Sequence, residues 1–300
     1  MIESIQAALL ALVAAINTAK VDIRIETQAL KSPTVITALE SARKRGVAVQ
    51  IVLGAKADFS LDARGQPTGG NRPYDTGPQG SELRTLDAMK ASVFIPPQFS
   101  ELDRPVFEPG VEMNAAFAVI DSKWGLLCTS PFNTNTRSDV CWRSSEQAFV
   151  TALVDLHKAD QSITSIDPVI AKSLATKDLV VTPTNSHDFN FLLHQKWRHV
   201  VVSYLSDGEG MQALLAAPPA TLWTSPAGVY SRLALVKLQR AGWTIKELPN
   251  AFSGIALISP RAVYVGSQKL DDLHIGKSRA LGVLLSAKHS AQVEQLLQIK

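Results

Sequence analysis

Histidines are the side chains of this 300-residue chain best suited to move protons near neutral pH, because imidazole titrates in that range. The six are His157, His187, His194, His199, His274 and His289. His274 lies in the polar segment 271–279, which also contains Lys277. An imidazole on a loop can reach a bound substrate as an acid or a base. We therefore take His274 as the candidate for a non-standard acid or base.

The sequence patterns of several enzyme classes are absent. There is no Walker loop, no paired-glycine dinucleotide fingerprint, no His-Glu-x-x-His zinc helix and no serine nucleophile elbow. The only cysteines are Cys128 and Cys141, too few for a disulfide framework or a cysteine-rich zinc site. We therefore expect no metal and no cofactor.

The elements that would position reactive residues begin with an apolar helical pattern over 5–16. The alternating segment 21–26 has the period of a half-buried strand. Pro33 then starts a second helix, which Gly46 ends, and the apolar segment 47–53 follows as a parallel strand. This order predicts a βαβ layout.

The same order returns in the second half of the chain. Helix 188–195 leads to strand 200–204 and then to a helix around 213–217. Each half also has a late strand pair: 117–120 with 124–128, and 255–258 with 262–265. A repeat of this length predicts two similar α/β halves related by a pseudo-twofold axis.

We place the boundaries of these halves at residues 1–165 and 177–300, with a linker at 166–176. Segment 55–80 is rich in Gly, Pro, Asp and Asn, and it is too long for an ordinary connection. It is either a lid or a disordered loop.

This order of elements resembles the phospholipase D superfamily, whose members carry His-x-Lys-x4-Asp and then, after about six residues, Gly-Ser-x-Asn. The resemblance covers nearly the whole chain. It implies an α/β fold of two pseudo-symmetric lobes, each a mixed, mostly parallel β-sheet flanked by helices. In the family, one histidine attacks phosphorus and the other protonates the leaving oxygen, while the lysines hold phosphate oxygens without a metal.

In this motif frame, the four histidine and lysine positions carry other residues. The first motif puts Asn114 at the histidine, Ala116 at the lysine and Asp121 at the aspartate. The second puts Phe252, Gly254 and Ser259 at those places, followed by the matching Gly266 and Ser267. An amide such as that of Asn114 cannot attack phosphorus or supply an acidic proton. The family's two-histidine mechanism is therefore not expected here.

Several side chains near these motifs could still contact a phosphate. The polar ones are Asn114, Thr129, Ser130, Asn133, Ser267 and Lys269. Four basic residues could form a rim around the same cleft: Arg137, Arg143, Lys277 and Arg279. The alternatives are ordinary turn hydroxyls and a lysine that points outward. Without its histidine, Asp121 is expected to shape a turn.

Composition and charge bear on partners and location. At 46% apolar and 19% charged residues, the chain is expected to fold as a soluble protein. Residues 1–150 carry 15 basic and 16 acidic side chains, whereas residues 151–300 carry 15 and 11. The longest apolar stretch, 7–16, is too short to span a bilayer, and two cysteines suit a reducing cytoplasm.

Together these observations predict a catalytically inactive phospholipase D-like protein that binds a phosphodiester in the cleft between its lobes. DNA is the expected partner, in DNA processing or repair, and a cytoplasmic monomer or loose homodimer is the expected state. One alternative is a phosphodiesterase or nuclease with non-standard catalytic residues. Another is a protein-interaction scaffold with a protein partner.

Overall fold

A computed structural model describes residues 1–28, 30, 32–53, 92–93, 113–132, 138–162, 178–182, 186–270 and 278–299. Several sequence predictions lie outside these residues. They are the roles of Asn133, Arg137, His274 and Lys277, the linker at 166–176 and the segment 55–80.

The first lobe is built on a seven-stranded sheet with the order β1-β7-β6-β5-β2-β3-β4. Its strands are β1 (Ile2–Ser4), β2 (Asp22–Thr27), β3 (Ala48–Leu53), β4 (Ser92–Val93), β5 (Ala116–Ile120), β6 (Trp124–Cys128) and β7 (Val140–Ser144). Its helices are α1 (Ile5–Thr18), α2 (Pro33–Lys44) and α3 (Gln147–Ser162). Ser4 caps α1 by accepting a hydrogen bond from the amide of Ala7, and Gly46 ends α2 at φ +87°.

The second lobe has a seven-stranded sheet with the order β8-β14-β13-β12-β9-β10-β11. Its strands are β8 (Leu179–Thr182), β9 (His199–Leu205), β10 (Thr221–Tyr230), β11 (Thr244–Glu247), β12 (Ile255–Ile258), β13 (Ala262–Gly266) and β14 (Ala280–Ser286). Its helices are α4 (Ser186–Leu193), α5 (Glu209–Ala216), α6 (Arg232–Arg240) and α7 (Ser290–Leu297), with a 3-10 turn at Ala287–His289.

The two sheets have the same topology. If β1 is matched with β8, β2 with β9 and each later strand with its counterpart, the order of neighbours is identical in both sheets. The predicted repeat is therefore present as two copies of one α/β unit. The sheets are mixed, as expected, but not mostly parallel, because four of the six described pairings in each sheet are antiparallel. Short turns join β5 to β6 and β12 to β13, and such turns can connect only antiparallel strands.

The lobes share two apolar clusters. One packs Phe117 and Val150 of the first lobe against Val181 and Leu281 of the second. The other packs Ile2 and Val140 of the first lobe around strands β12 to β14. Burial of apolar surface from both lobes in common clusters stabilises their contact.

The two cysteines, too few for a disulfide framework, form a single cross-link. Cys128 and Cys141 are opposite each other on β6 and β7 and are joined by a disulfide with a Cα–Cα distance of 4.1 Å. Sequence spacing did not reveal the pairing because it depends on the register of two strands. The described residues contain no helix that is both long and apolar enough to cross a bilayer.

Candidate functional site at the lobe junction

The segments that enter β5 and β12 each contact the opposite lobe. The amides of Asn114 and Ala115 donate to the carbonyl of Arg279 at 2.7 and 3.0 Å. In the reciprocal direction, the amide of Ser253 donates to the Asp139 carboxylate at 2.7 Å, and the amide of Ser138 donates to the carbonyl of Ala251 at 3.2 Å. We call this set of contacts the lobe junction. It brings the two motif segments together.

The motif hydroxyls of the two lobes accept equivalent backbone hydrogen bonds. Thr129 Oγ1 accepts from the amide of Val140 at 3.1 Å, and Ser267 Oγ accepts from the amide of Leu281 at the same distance. Thr129 also donates to Asp139 Oδ1 at 3.0 Å. Both hydroxyls are buried, so each one fastens the end of a strand to its neighbour. A ligand would have to displace these bonds in order to use them.

Strand register corrects the second motif frame by one residue. Leu127, two residues before Thr129, pairs with Phe117 ten residues earlier, whereas Val265, two residues before Ser267, pairs with Ala256 only nine residues earlier. The second hairpin is therefore one residue shorter, which shifts the equivalence between the lobes. The counterpart of Asn114 is then Ser253 and not Phe252.

By the same register, the counterpart of Ala116 is Ile255 and not Gly254. The ungapped spacing of the sequence motif could not show this one-residue deletion. With either frame, none of the four positions carries an imidazole or an ammonium group.

The junction is tightly packed around Gly254. This residue has φ +135°, and an added Cβ atom would lie 2.8 Å from the carbonyl oxygen of Thr129 and even closer to that of Gly266. Only glycine adopts such a backbone without strain. Phe252 is buried in the shared apolar cluster with Ile2 and Val140. These contacts leave no room for a long side chain at position 254.

The remaining polar candidates differ in their surroundings. The Asn114 side chain is 5% exposed, and its Nδ2 has no hydrogen-bond partner within the described residues. The buried Ser130 hydroxyl likewise has none there. Lys269 is half-buried, at the position of the motif's asparagine.

Asp121 and Ser259 both shape turns. The Asp121 carboxylate accepts from the amides of Lys20, Val21 and Asp22 at 2.7–3.1 Å. Although burial acts in the opposite direction, these three amides lower its pKa. Ser259 Oγ accepts from the amides of Arg261 and Ala262 at 3.2 and 3.1 Å.

Arg279 is fully buried and cannot form part of a solvent-facing basic rim. Its Nε and Nη2 donate to the two carboxylate oxygens of Asp160 at 2.8 and 2.7 Å. Asp160 lies near the end of α3 in the first lobe, so this bidentate pair crosses the junction. Sequence reasoning missed Asp160 because it lies outside the motifs.

Glu26 is a third ionisable residue beside the Arg279–Asp160 pair. It is fully buried, and among the described residues neither carboxyl oxygen has a hydrogen-bond partner of ordinary geometry. Burial and the neighbouring Asp160 carboxylate raise its pKa well above the usual value. The protonated form of the Glu26 carboxyl is therefore favoured beside the Arg279–Asp160 pair.

Arg143 does not extend a basic rim either. Its Nε is 3.2 Å from Glu3 Oε1, and the amide of residue 143 donates to the carbonyl of Met1. His157 is buried in α3, where burial and the Arg24 charge lower its pKa to about 4. It is neutral at pH 7. Within the described segments, no three His, Cys, Asp or Glu side chains are grouped to hold a metal ion.

Two lobes of identical topology whose motif segments meet at one junction define the phospholipase D class of α/β proteins. Residues 12–298 match the protein family described as "Cardiolipin synthase, PLD-like domain". Because this match covers most of the chain, the protein belongs to the phospholipase D-like family. No curated protein matches the sequence.

Solved structures show the same fold at low sequence identity. Polyphosphate kinase from Porphyromonas gingivalis is 15% identical with a TM-score of 0.65, and the match covers 99% of this chain and 49% of that one. The chain thus spans about half the length of that kinase. Phosphatidylserine synthase from Haemophilus influenzae Rd KW20 is 11% identical with a TM-score of 0.60, covering 99% of this chain and 85% of that one.

Proposed function

We propose that this protein is a catalytically inactive member of the phospholipase D-like family that binds a phosphodiester polymer, DNA, in DNA processing or repair. One observation carries the inactivity. The positions that would supply two histidines and two lysines hold Asn114 and Ala116 in the first lobe, and Ser253 and Ile255 in the second. Asn114, Ala116 and Ile255 cannot attack phosphorus, protonate a leaving group or neutralise a phosphate oxygen, and the Ser253 hydroxyl is a weak nucleophile unless a neighbouring base activates it.

The packing of the junction supports the same proposal. Ala116 and Ile255 are fully buried, and Phe252 is 2% exposed. Gly254 lies against the backbone of Thr129 and Gly266. Closely packed apolar and backbone groups thus occupy much of the place where a reactive centre would lie, although Ser253 is only half-buried.

The charge of the second half of the chain supports DNA binding. Residues 151–300 have four more basic than acidic side chains. Lys269 follows the motif hydroxyl Ser267, and its ammonium could pair with a backbone phosphate. Arg279 and Arg143 pair with carboxylates. Of the basic residues near the motifs we assign phosphate contact to Lys269, Arg137 and Lys277.

The inactivity is tested with an activated phosphodiester, bis-p-nitrophenyl phosphate, incubated with the purified chain with and without Mg²⁺, Mn²⁺ and Zn²⁺. We expect no release of nitrophenol above the protein-free rate. Turnover that survives repurification and is lost in His274→Ala would instead establish the non-standard phosphodiesterase.

DNA binding is tested by fluorescence anisotropy with single-strand and duplex oligonucleotides at 50 to 200 mM salt. Affinity should fall as salt rises, because phosphate contacts release counterions. Lys269→Ala should weaken binding and reduce the logarithmic salt slope by about 1. Lys44→Ala, at the remote end of α2, is the matched control and should change neither. The absence of salt-dependent binding near 100 mM would refute this half of the proposal.

A protein-interaction scaffold is the second candidate, and two exposed apolar side chains favour it. Val229, near the end of β10, is 60% exposed, and Leu233, in the first turn of α6, is 55% exposed. A scaffold predicts association that is insensitive to salt and is lost in Leu233→Glu, whereas DNA binding should be unaffected by that substitution. Light scattering at low and high salt distinguishes the two.

A further inference from the structure

The disulfide lies next to the residues that make one side of the lobe junction. Cys128 precedes Thr129, and Cys141 follows Asp139 by two residues. Thr129 donates to Asp139, and Asp139 accepts from the amide of Ser253 in the second lobe. A bond between the cysteines therefore fixes the ends of the two strands that hold this interlobe contact.

Strand register explains why the pair can be joined. The amide of Thr129 donates to the carbonyl of Val140 at 3.0 Å, so Thr129 and Val140 form a hydrogen-bonded pair. Cys128 and Cys141 are then the adjacent non-hydrogen-bonded pair, the type in which opposite side chains come closest. Both cysteines are fully buried, so exchange requires the strand ends to open.

We infer that the Cys128–Cys141 disulfide is a redox-dependent lock on the Thr129–Asp139 side of the lobe junction. With the bond formed, the ends of β6 and β7 are held together and present Asp139 to Ser253. With two thiols, no covalent bond joins these ends, and the Asp139–Ser253 contact opens more often. This inference does not depend on the proposed function.

The lock closes by exchange with a small disulfide such as oxidised glutathione. One cysteine thiolate attacks a glutathione sulfur, which forms a mixed disulfide and releases one glutathione thiolate. The second cysteine thiolate attacks the protein sulfur of that mixed disulfide and releases the other. Two protein S–H bonds and one glutathione S–S bond are lost, while one protein S–S bond and two glutathione S–H bonds are formed.

The first measurement counts thiols in the full chain. The protein is incubated with oxidised or reduced glutathione, denatured in the presence of maleimide and weighed by mass spectrometry. We expect no labelled thiol after oxidation and two after reduction. Two labelled thiols after prolonged oxidation would overturn the inference.

The second measurement is amide hydrogen exchange of the oxidised and reduced protein. Exchange at Ser253, whose amide donates to Asp139, should become faster on reduction, on the order of tenfold. The amides of Asn114 and Ala115 donate to Arg279 on the other side of the junction and serve as the internal control. Their exchange should change little. Equal exchange at Ser253 in both redox states would show that the disulfide does not stabilise the Asp139–Ser253 contact, and it would refute the inference.

A double substitution, Cys128→Ala with Cys141→Ala, separates the cross-link from side effects of the reductant. It should match the reduced wild-type protein under both conditions. The oxidised wild type should melt roughly 5 °C above the variant, since the bond closes a short loop. If the variant does not fold, the comparison of oxidised and reduced wild type still decides the question.

Discussion

The two lobes fill one equivalent cross-strand position in different ways. In the first lobe, Cys128 and Cys141 face each other on β6 and β7 and are covalently joined. In the second, Gly266 and Gly282 face each other on β13 and β14. A Cβ atom on Gly282 would overlap the hydroxyl of Tyr264, so the glycine pair makes room for this buried ring.

A second equivalent pair shows the same contrast. Strand register matches Ser138 before β7 with Arg279 before β14. Both use backbone groups to bind the opposite lobe, yet Ser138 Oγ has no partner within the described residues, while Arg279 makes a buried ion pair. The fold thus requires close strands and backbone contacts at these places but leaves the side-chain chemistry open.

The largest expected effect comes from Arg279→Met. It leaves the Asp160 carboxylate buried without its partner, and we expect a loss of about 3–5 kcal/mol in the free energy of unfolding. Urea unfolding measures it. Ser138→Ala, at the equivalent place, should change stability by less than about 0.5 kcal/mol. Similar losses in the two variants would break the contrast between the lobes.

A smaller effect is expected for Gly282→Ala. The added methyl group would collide with Tyr264, so we expect a loss of about 2 kcal/mol in thermal or urea unfolding. Tyr264→Leu removes the collision and is the background for a double-mutant cycle. In that background, Gly282→Ala should cost much less. A full cost there would mean that the glycine is needed for its backbone and not for the tyrosine.

The smallest effect is a gain in the free energy of unfolding, dependent on pH, that we expect from Glu26→Gln. The equivalent place in the second lobe holds the apolar Val201. Because the folded pKa of Glu26 is raised, its contribution to stability is complete below the unfolded value of about 4.5 and decreases as pH rises. The variant should match the wild type near pH 4.5 and exceed it at pH 7, with a slope of at most about 1.4 kcal/mol per pH unit. Urea unfolding from pH 4.5 to 8 checks this.

Glu146→Gln changes an exposed carboxylate and is the control for that series. It should show no comparable gain at pH 7. A wild type as stable as the Glu26→Gln variant at every pH would mean that the Glu26 proton has no effect on folding.

Much of the fold could be predicted from residue patterns. Alternation in 21–26 predicted the strand that is present as β2, and the repeated order of elements predicted a strand at 200–204 that is present as β9. Pro33 and Gly46 marked the ends of α2. The repeat predicted two lobes. The parallel character was overestimated, because apolar runs predict burial and not strand direction.

The candidate site was less accessible to sequence reasoning. Arg279 seemed suited to a basic rim because an arginine in a loop is usually exposed, but Asp160, 119 residues away, receives it in the interior. The β12–β13 hairpin is one residue shorter than the β5–β6 hairpin, which moved the second motif frame from Phe252 to Ser253. Neither the Arg279–Asp160 pair nor the shift of the second motif frame can be recognised from the residues that neighbour these positions in the sequence.

The sequence by itself determined the order of strands and helices, the internal repeat and the absence of imidazole and ammonium groups at the motif positions. Periodicity and residue identity are local properties, so they can be read along the chain. Only the tertiary structure decided which distant residues meet: the disulfide, the Arg279–Asp160 pair and the packing of Gly254 against Thr129. These contacts depend on strand register and on the docking of one lobe against the other, which no short segment encodes.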